Sequence, residues 1–356
     1  MNSSIKATLV MAAALSLPAM AGHSGISFEH KDWEVVCDNT LTCRAAGYSA
    51  EEEASGSVLI TRKAGPDTPV TVDVVLAEME ADEATPQAKL TLWIDGKSQG
   101  DVAAEDSDTW RLSDEQASNM IAAVKGSSKV EFTGGVKPFV LSGEGASAVL
   151  LKFDDVQGRV GTPGALSKKG DKAENSVAAP VAAPVIQAVA VDDGEDRTLN
   201  EAEVKALKPR LLATLSGDNG CDRLSSPQEA TVEGDNDITL TPLDSKHALI
   251  STLCWRAAYN EGYGYWVIDK ALKGNPQLIT NSASDYADGA ISLGQRGRGI
   301  GDCWASAEWV WDGETFRKSS ESTTGMCRYV RAGGTWDLPE FVAEVKEANQ
   351  ATKHAN

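Results

Sequence analysis

Short apolar runs separated by turn residues organise the chain from residue 28 to 164. Trp33 to Cys37, Val58 to Arg62, Val70 to Leu76, Leu90 to Ile94, Val130 to Thr133 and Ala148 to Phe153 each hold four to seven residues rich in Val, Leu, Ile or aromatic side chains. Runs of that length and composition predict β-strands. Lys89 to Ile94 leads straight into Asp95-Gly96, a pair suited to a tight hairpin turn. One segment follows the helical period instead. Ser113 and Gln116 have the spacing of a capping box, Met120, Ile121 and Val124 form an apolar stripe, and Gly126 stands where a helix ends. Residues 28–164 therefore read as a β-rich domain with a covering helix.

The pattern changes at residues 165–197. Val177-Ala178-Ala179-Pro180 is repeated as Val181-Ala182-Ala183-Pro184, and the acidic run Asp192-Asp193-Gly194-Glu195-Asp196 follows. Prolines at this spacing prevent a helix, so the segment reads as a flexible Ala/Pro/acidic linker between independently moving domains. Residues 198–346 resume the β pattern after a helix opened by Asn200 and Glu203, with Val204 and Leu207 on its apolar side. Asp237 to Thr241, Ala248 to Cys254 and Tyr263 to Ile268 predict strands. Glu308 to Phe316 predicts a hairpin turning at Asp312-Gly313, which would set Trp311 opposite Glu314 and Trp309 opposite Phe316. Leu338 to Lys346 is expected to form a last helix, and 347–356 a frayed tail. The fold class is thus mainly β (α+β): two antiparallel β-rich domains, each with one or two short helices, joined by the linker.

Residues 1–21 carry the marks of a signal peptide: Lys6, the apolar stretch Ala7 to Leu17, and Ala19-Met20-Ala21 before a cleavage point after Ala21. The stretch is too short for a bilayer core of roughly 30 Å, and no later segment replaces it as a membrane span. Periplasmic or secreted localisation follows. In an oxidising compartment the six cysteines are expected to pair. The linker separates Cys37 and Cys43 from Cys221, Cys254, Cys303 and Cys327, which makes Cys37–Cys43 the simplest bridge. The other four allow three connectivities, of which Cys221–Cys254 with Cys303–Cys327 is favoured. The charge, −19 at pH 7 from 33 basic and 52 acidic residues, argues against nucleic acid and anionic membrane as partners.

Candidate chemistry is sparse. Gly294 to Gly301, with Arg296 and Arg298, offers backbone amides and guanidinium groups to an anion, or else makes a tight turn into Cys303. Aromatic residues cluster at Trp255, Tyr259, Tyr263, Tyr265 and Trp266, and again at Trp304, Trp309 and Trp311, as a core or as a stacking platform. The possible ligand-binding residues are therefore Trp255, Tyr259, Arg296, Arg298 and Asp302. His23, His30, His247 and His354 stand apart, and no cysteine spacing suits a metal, so neither a catalytic residue, a metal nor a cofactor is assigned. Asp285, Asp288 and Asp302 are carboxylates near the glycine stretch, and the acidic clusters at 192–196 and 218–222 lack the order of a calcium loop.

Five motifs carry a resemblance: Asp32-Trp33-Glu34-Val35-Val36-Cys37 with Cys43-Arg44-Ala45; Cys254-Trp255-Arg256-Ala257-Ala258-Tyr259-Asn260; Gly297-Arg298-Gly299-Ile300-Gly301-Asp302-Cys303; Trp309-Val310-Trp311-Asp312-Gly313 with Phe316; and Cys327-Arg328. Together they resemble an exported Gram-negative family with six characteristic cysteines, known as a domain of unknown function, number 1176 of that series. The opening of the first domain is also similar to invasion-associated locus B proteins. These resemblances imply an envelope protein without implying a mechanism. The leading expectation is a non-catalytic binding module for an envelope protein or a peptidoglycan component. A carboxylate-based hydrolase or transferase acting on envelope glycans is the alternative, and a host-interaction factor a third; the ligand and the oligomeric state are left open.

Overall fold

The computed structural model describes residues 25–77, 89–135, 137–192, 194–215, 220–226 and 234–347. The expected signal peptide, His23, His354 and residues 348–356 of the tail lie outside the described residues, as do Asp193 and Asp218 of the acidic clusters. Among the described residues strands hold 41% and helices 14%, so the class is mainly β.

In the first half the strands are β1 (Ile26–His30), β2 (Trp33–Cys37), β3 (Cys43–Tyr48), β4 (Gly56–Arg62), β5 (Thr71–Leu76), β6 (Leu90–Ile94), β7 (Lys97–Ala104), β8 (Trp110–Arg111), β9 (Val130–Thr133) and β10 (Phe139–Leu141). They form one antiparallel sheet in the order β1-β2-β3-β4-β5-β8-β7-β6-β9-β10. The β6–β7 turn is the Asp95-Gly96 pair, both residues at positive φ (47° and 74°), as a right-twisted two-residue hairpin requires. Helix α1 (Asp114–Val124) begins at the expected Ser113–Gln116 capping box and buries Ala117, Met120, Ile121 and Val124 against the sheet. Ala148 to Phe153 is not a strand. It belongs to helix α2 (Ala146–Val156), whose buried Ala146, Val149, Leu150 and Phe153 fall at i, i+3, i+4 and i+7. A short apolar run fits either period, and here the core under β2 and β3 takes the helical one.

The second half adds β11 (Val185–Ala188), β12 (Arg197–Thr198), α3 (Glu201–Leu212), α4 (Asp222–Ser225), β13 (Thr239–Pro242), β14 (His247–Arg256), β15 (Glu261–Asp269), β16 (Gln277–Ala283), β17 (Asp285–Ala287), β18 (Ala290–Arg296), β19 (Trp304–Trp311), β20 (Phe316–Thr323), β21 (Leu338–Val342) and β22 (Glu344–Glu347). Two five-stranded antiparallel sheets, β12 to β16 and β17 to β21, enclose a core of Leu249, Tyr265, Ile291, Trp311 and Phe316. On its other side the first of these sheets packs Ile250 and Trp266 against Leu207 and Leu211 of α3, which starts at the Asn200–Glu203 box.

Two expectations for this half are corrected. The β19–β20 hairpin pairs Trp311 with Phe316 and Trp309 with Lys318. Asp312 Oδ1 accepts the N–H groups of Glu314 and Thr315, which opens the loop to four residues and shifts the register. Leu338 to Lys346 is extended, not helical: β21 edges the second sheet, where Pro339 costs no ladder bond, and β22 pairs in parallel with β11. A tertiary partner, invisible to local pattern, decides the conformation.

The segment 165–197 lies along the protein surface. Ala178 O accepts Gly65 N–H and Ala178 N–H reaches Gln157 O, Val181 N–H reaches Thr40 O, and Val189 N–H reaches Trp311 O. The chain beyond β20 also returns to the first half. Met326, Val330 and Leu338 share a core with Val36, Tyr48 and Leu59, and Trp336 donates to Ser57 Oγ at 2.8 Å. Arg328 forms an ion pair with Asp32 at 2.6 Å, both mostly buried. Glu34 Oε1 accepts Tyr48 O–H at 2.8 Å and Met326 N–H at 2.7 Å. These contacts tie the two halves together. The bridges are Cys37–Cys43, Cys221–Cys254 and Cys303–Cys327, the favoured pairing.

Burial pushes the Glu34 carboxyl above its ordinary 4.5, against the hydrogen bonds from Met326 and Tyr48. Above that value the folded protein keeps a proton the unfolded chain has lost, so stability falls as pH rises from 4.5 through the folded pKa. Glu34→Gln, which retains an acceptor, should abolish that fall in denaturant titrations at several pH values. Glu34→Ala should cost about 2–4 kcal/mol, because two buried donors lose their partner.

Candidate functional site

The glycine-rich stretch connects β18 to β19 and rests on a disulfide. Gly297 sits so close to the Cys303–Cys327 bridge that a Cβ there would lie 2.6 Å from Cys303 Sγ, which requires glycine. Gly301 adopts φ 71°, its N–H donates to Arg298 O, and its carbonyl accepts Gly333 N–H and the Trp304 indole N–H. Gly297 N–H donates to Cys303 O, Gly294 N–H to Ser284 Oγ, and Arg296 N–H to Asn260 Oδ1. The amides of Gly294, Arg296, Gly297 and Gly301 are thus engaged within the protein.

Arg298 grips Asp302 with two bonds, Nε to Oδ1 at 2.7 Å and Nη2 to Oδ2 at 2.5 Å, and Asp302 Oδ2 also accepts Tyr329 N–H at 2.7 Å. Burial of Asp302 opposes its ionisation, but Arg298 and the Tyr329 amide outweigh it and hold the carboxyl below its ordinary 3.8. This pair staples the loop to the segment that carries Arg328. Asn260 performs a similar task from the β14–β15 turn, donating Nδ2 to Arg296 O at 2.9 Å while accepting Arg296 N–H at 3.0 Å.

The aromatic candidates divide. Trp255 lies against Gly262, where a Cβ would be 2.3 Å from the ring, and its indole N–H reaches Asn281 O. It packs against the core beside α3 and offers no open face for stacking at Gly262. Tyr259 is 46% exposed beside Gly299, and Ile300 is 51% exposed in the same loop. Arg296 lies over the Trp304 ring, 5.1 Å from its centre. Tyr259 from the β14–β15 turn, Ile300 from the glycine-rich loop and the Arg296–Trp304 pair at the ends of β18 and β19 together present aromatic, aliphatic and cationic groups.

Asp285 is exposed on β17, whereas Asp288 occupies a positive-φ turn with Gly289. His30 is exposed on β1, and His247 pairs with Asp244 and meets the edge of Trp311. No group of His, Cys, Asp or Glu among the described residues is arranged to hold a metal ion. Sequence reasoning assigned no role to Asp32, Glu34, Asn260 or Arg328. Their available signal was a charged residue inside the apolar strand run of Trp33 to Cys37 and an asparagine closing a hairpin.

Asp302→Ala should cost about 3 kcal/mol by thermal or denaturant unfolding, since a buried charge pair loses one member and Tyr329 N–H loses its acceptor. The Asp302 contribution is complete above its unfolded pKa and is lost as pH falls through the lower folded value. The wild type should therefore lose more stability than Asp302→Asn on acidification below 3.8.

No solved structure matches the chain. It is 26% identical over 332 residues to the uncharacterized protein YpfG of Escherichia coli (strain K12), covering 86% of this chain and 90% of that one. The family model that matches is described as a protein of unknown function, and the expected likeness to invasion-associated locus B proteins is not shown. Every motif residue clustered between Asp32 and Arg328 falls inside its match to residues 27–343, and the chain belongs to this DUF1176 family.

Proposed function

We propose that this protein is a non-catalytic binding module of the bacterial envelope, engaging a protein or cell-wall component through Tyr259, Ile300 and the Arg296–Trp304 pair. The observation that carries this reading is the exposure of two large side chains, Ile300 on a loop held by a disulfide and an ion pair, and Tyr259 on the β14–β15 turn that the Asn260 clamp joins to it. A rigid loop loses little entropy on binding, which favours recognition. Asp302, in the same loop as Ile300, is buried and committed to Arg298, which weighs against the alternative of glycan hydrolysis by that group. Export to an oxidising compartment accords with the three disulfides. The same reading takes residues 28–164 and 198–346 as two β-rich domains, with 165–197 as the connection between them.

The test is capture of isolated peptidoglycan and of envelope proteins by the purified, oxidised protein, beside Tyr259→Ala and Ile300→Ser variants of unchanged melting temperature. Saturable capture reduced about ten-fold or more in the variants is expected, a loss of roughly 1.4 kcal/mol. Capture of neither material, or capture indifferent to both substitutions, would contradict the proposal.

A further inference from the structure

A second site lies in the first half, between α1 and the segments 68–70 and 164–169. A pocket of about 310 Å³ opens there, at the small end of the range for small-molecule sites. Its helical wall is a stripe of α1 running from Asp114 through Ala117, Ile121 and Ala122 to Lys125. Small residues on that stripe leave the space, and Val70, Ile121 and Leu166 give it an apolar lining.

The charged residues that line it are mostly cationic, while Glu174, Asp154 and Asp67 lie close enough behind them to act on Arg62. Arg62, Lys125 and Lys169 contribute three cations against the single acid Asp114, in a chain whose net charge is −19. Arg62 is 6% exposed and ties the opposite wall together, Nε donating to Thr68 O at 2.9 Å and Nη1 to Gly164 O at 2.7 Å. The nearby acid Asp154 is fully buried behind the wall and already accepts Leu166 N–H and Ser167 N–H. Lys125 donates to Leu166 O, so its position at the rim is set. Burial lowers the Lys125 pKa and the charge of Lys169 lowers it further, the signature of two cations brought together. A cation cluster above an apolar lining favours a ligand with an anionic head and a hydrocarbon body.

We propose that this pocket binds a small aliphatic carboxylate, its head between Lys125 and Lys169 beside Arg62 and its chain against Val70, Ile121 and Leu166. The site stands apart from the Tyr259 surface and does not depend on the binding function assigned to it. A free fatty acid of modest length is the simplest ligand of this chemistry.

Titration of the full-length protein with octanoate, octanol and acetate, followed by calorimetry and by methyl NMR shifts, tests the proposal. Lys169→Glu reverses a rim charge, and Ala122→Phe fills the pocket from an exposed helix position that tolerates substitution. Saturable octanoate binding is expected, with the largest shifts at the Val70, Ile121 and Leu166 methyls. Octanol and acetate should each bind about ten-fold or more weaker, and each variant should weaken octanoate about five-fold or more, given roughly 1.4 kcal/mol per decade. Absence of octanoate binding, equal binding of octanol, shifts confined to other methyls, or unaltered affinity in both variants would overturn it.

Discussion

Arg328 closing on Asp32, with Glu34 accepting the neighbouring Met326 amide, is the contact on which the arrangement of this protein depends. It joins strand β2 of the ten-stranded sheet to the chain that leaves β20. The cost of burying these charges is high, and it is met only because each is hydrogen-bonded: Arg328 also donates to Lys31 O and Glu51 O, and Glu34 also holds Tyr48 O–H. Around this polar centre Met326, Val330, Leu338 and Trp336 seal against Val36, Tyr48, Leu59 and Val75. Gly325 makes the approach possible, because a Cβ there would come within 2.4 Å of the Tyr48 hydroxyl.

The clasp reaches the glycine loop through covalent and ionic links. Cys327, next to Arg328, is bonded to Cys303, and Tyr329 donates its N–H to Asp302, which holds Arg298. The loop's shape and the docking of the two halves are therefore mechanically connected. Family motifs distant in the sequence, at residues 32–37, 297–303 and 327–328, meet in this one region. Their shared structural task gives a reason for their occurring together.

Much of the architecture was legible where local rules act alone. The Ser113–Gln116 and Asn200–Glu203 boxes, the Asp95-Gly96 turn and the strands of Trp33 to Cys37 and Val130 to Thr133 need only neighbouring residues to specify them. Misreadings occur where a distant partner decides. Ala148 to Phe153 is helical because its stripe faces β2 and β3, and Leu338 to Lys346 is extended because β20 and β11 offer it edges. The same distinction runs through the site. Arg298 and Asp302 were nominated by composition, but their mutual pairing requires the loop's closure, and Trp255 was nominated by its ring although Gly262 occupies one face. Glu34 and Arg328, though part of the family motifs, carried no assigned role because their partners lie 292 and 296 residues away in sequence.

Differential scanning calorimetry of the oxidised protein, beside Asp32→Ala, Arg328→Ala and the double variant, tests the clasp most directly. If it couples the halves, the wild type unfolds in one cooperative transition. Each single substitution then lowers or splits that transition, and the double variant is no worse than the poorer single one, a coupling of about 1 kcal/mol or more. Two separate transitions in the wild type, at temperatures that neither substitution moves, would contradict it.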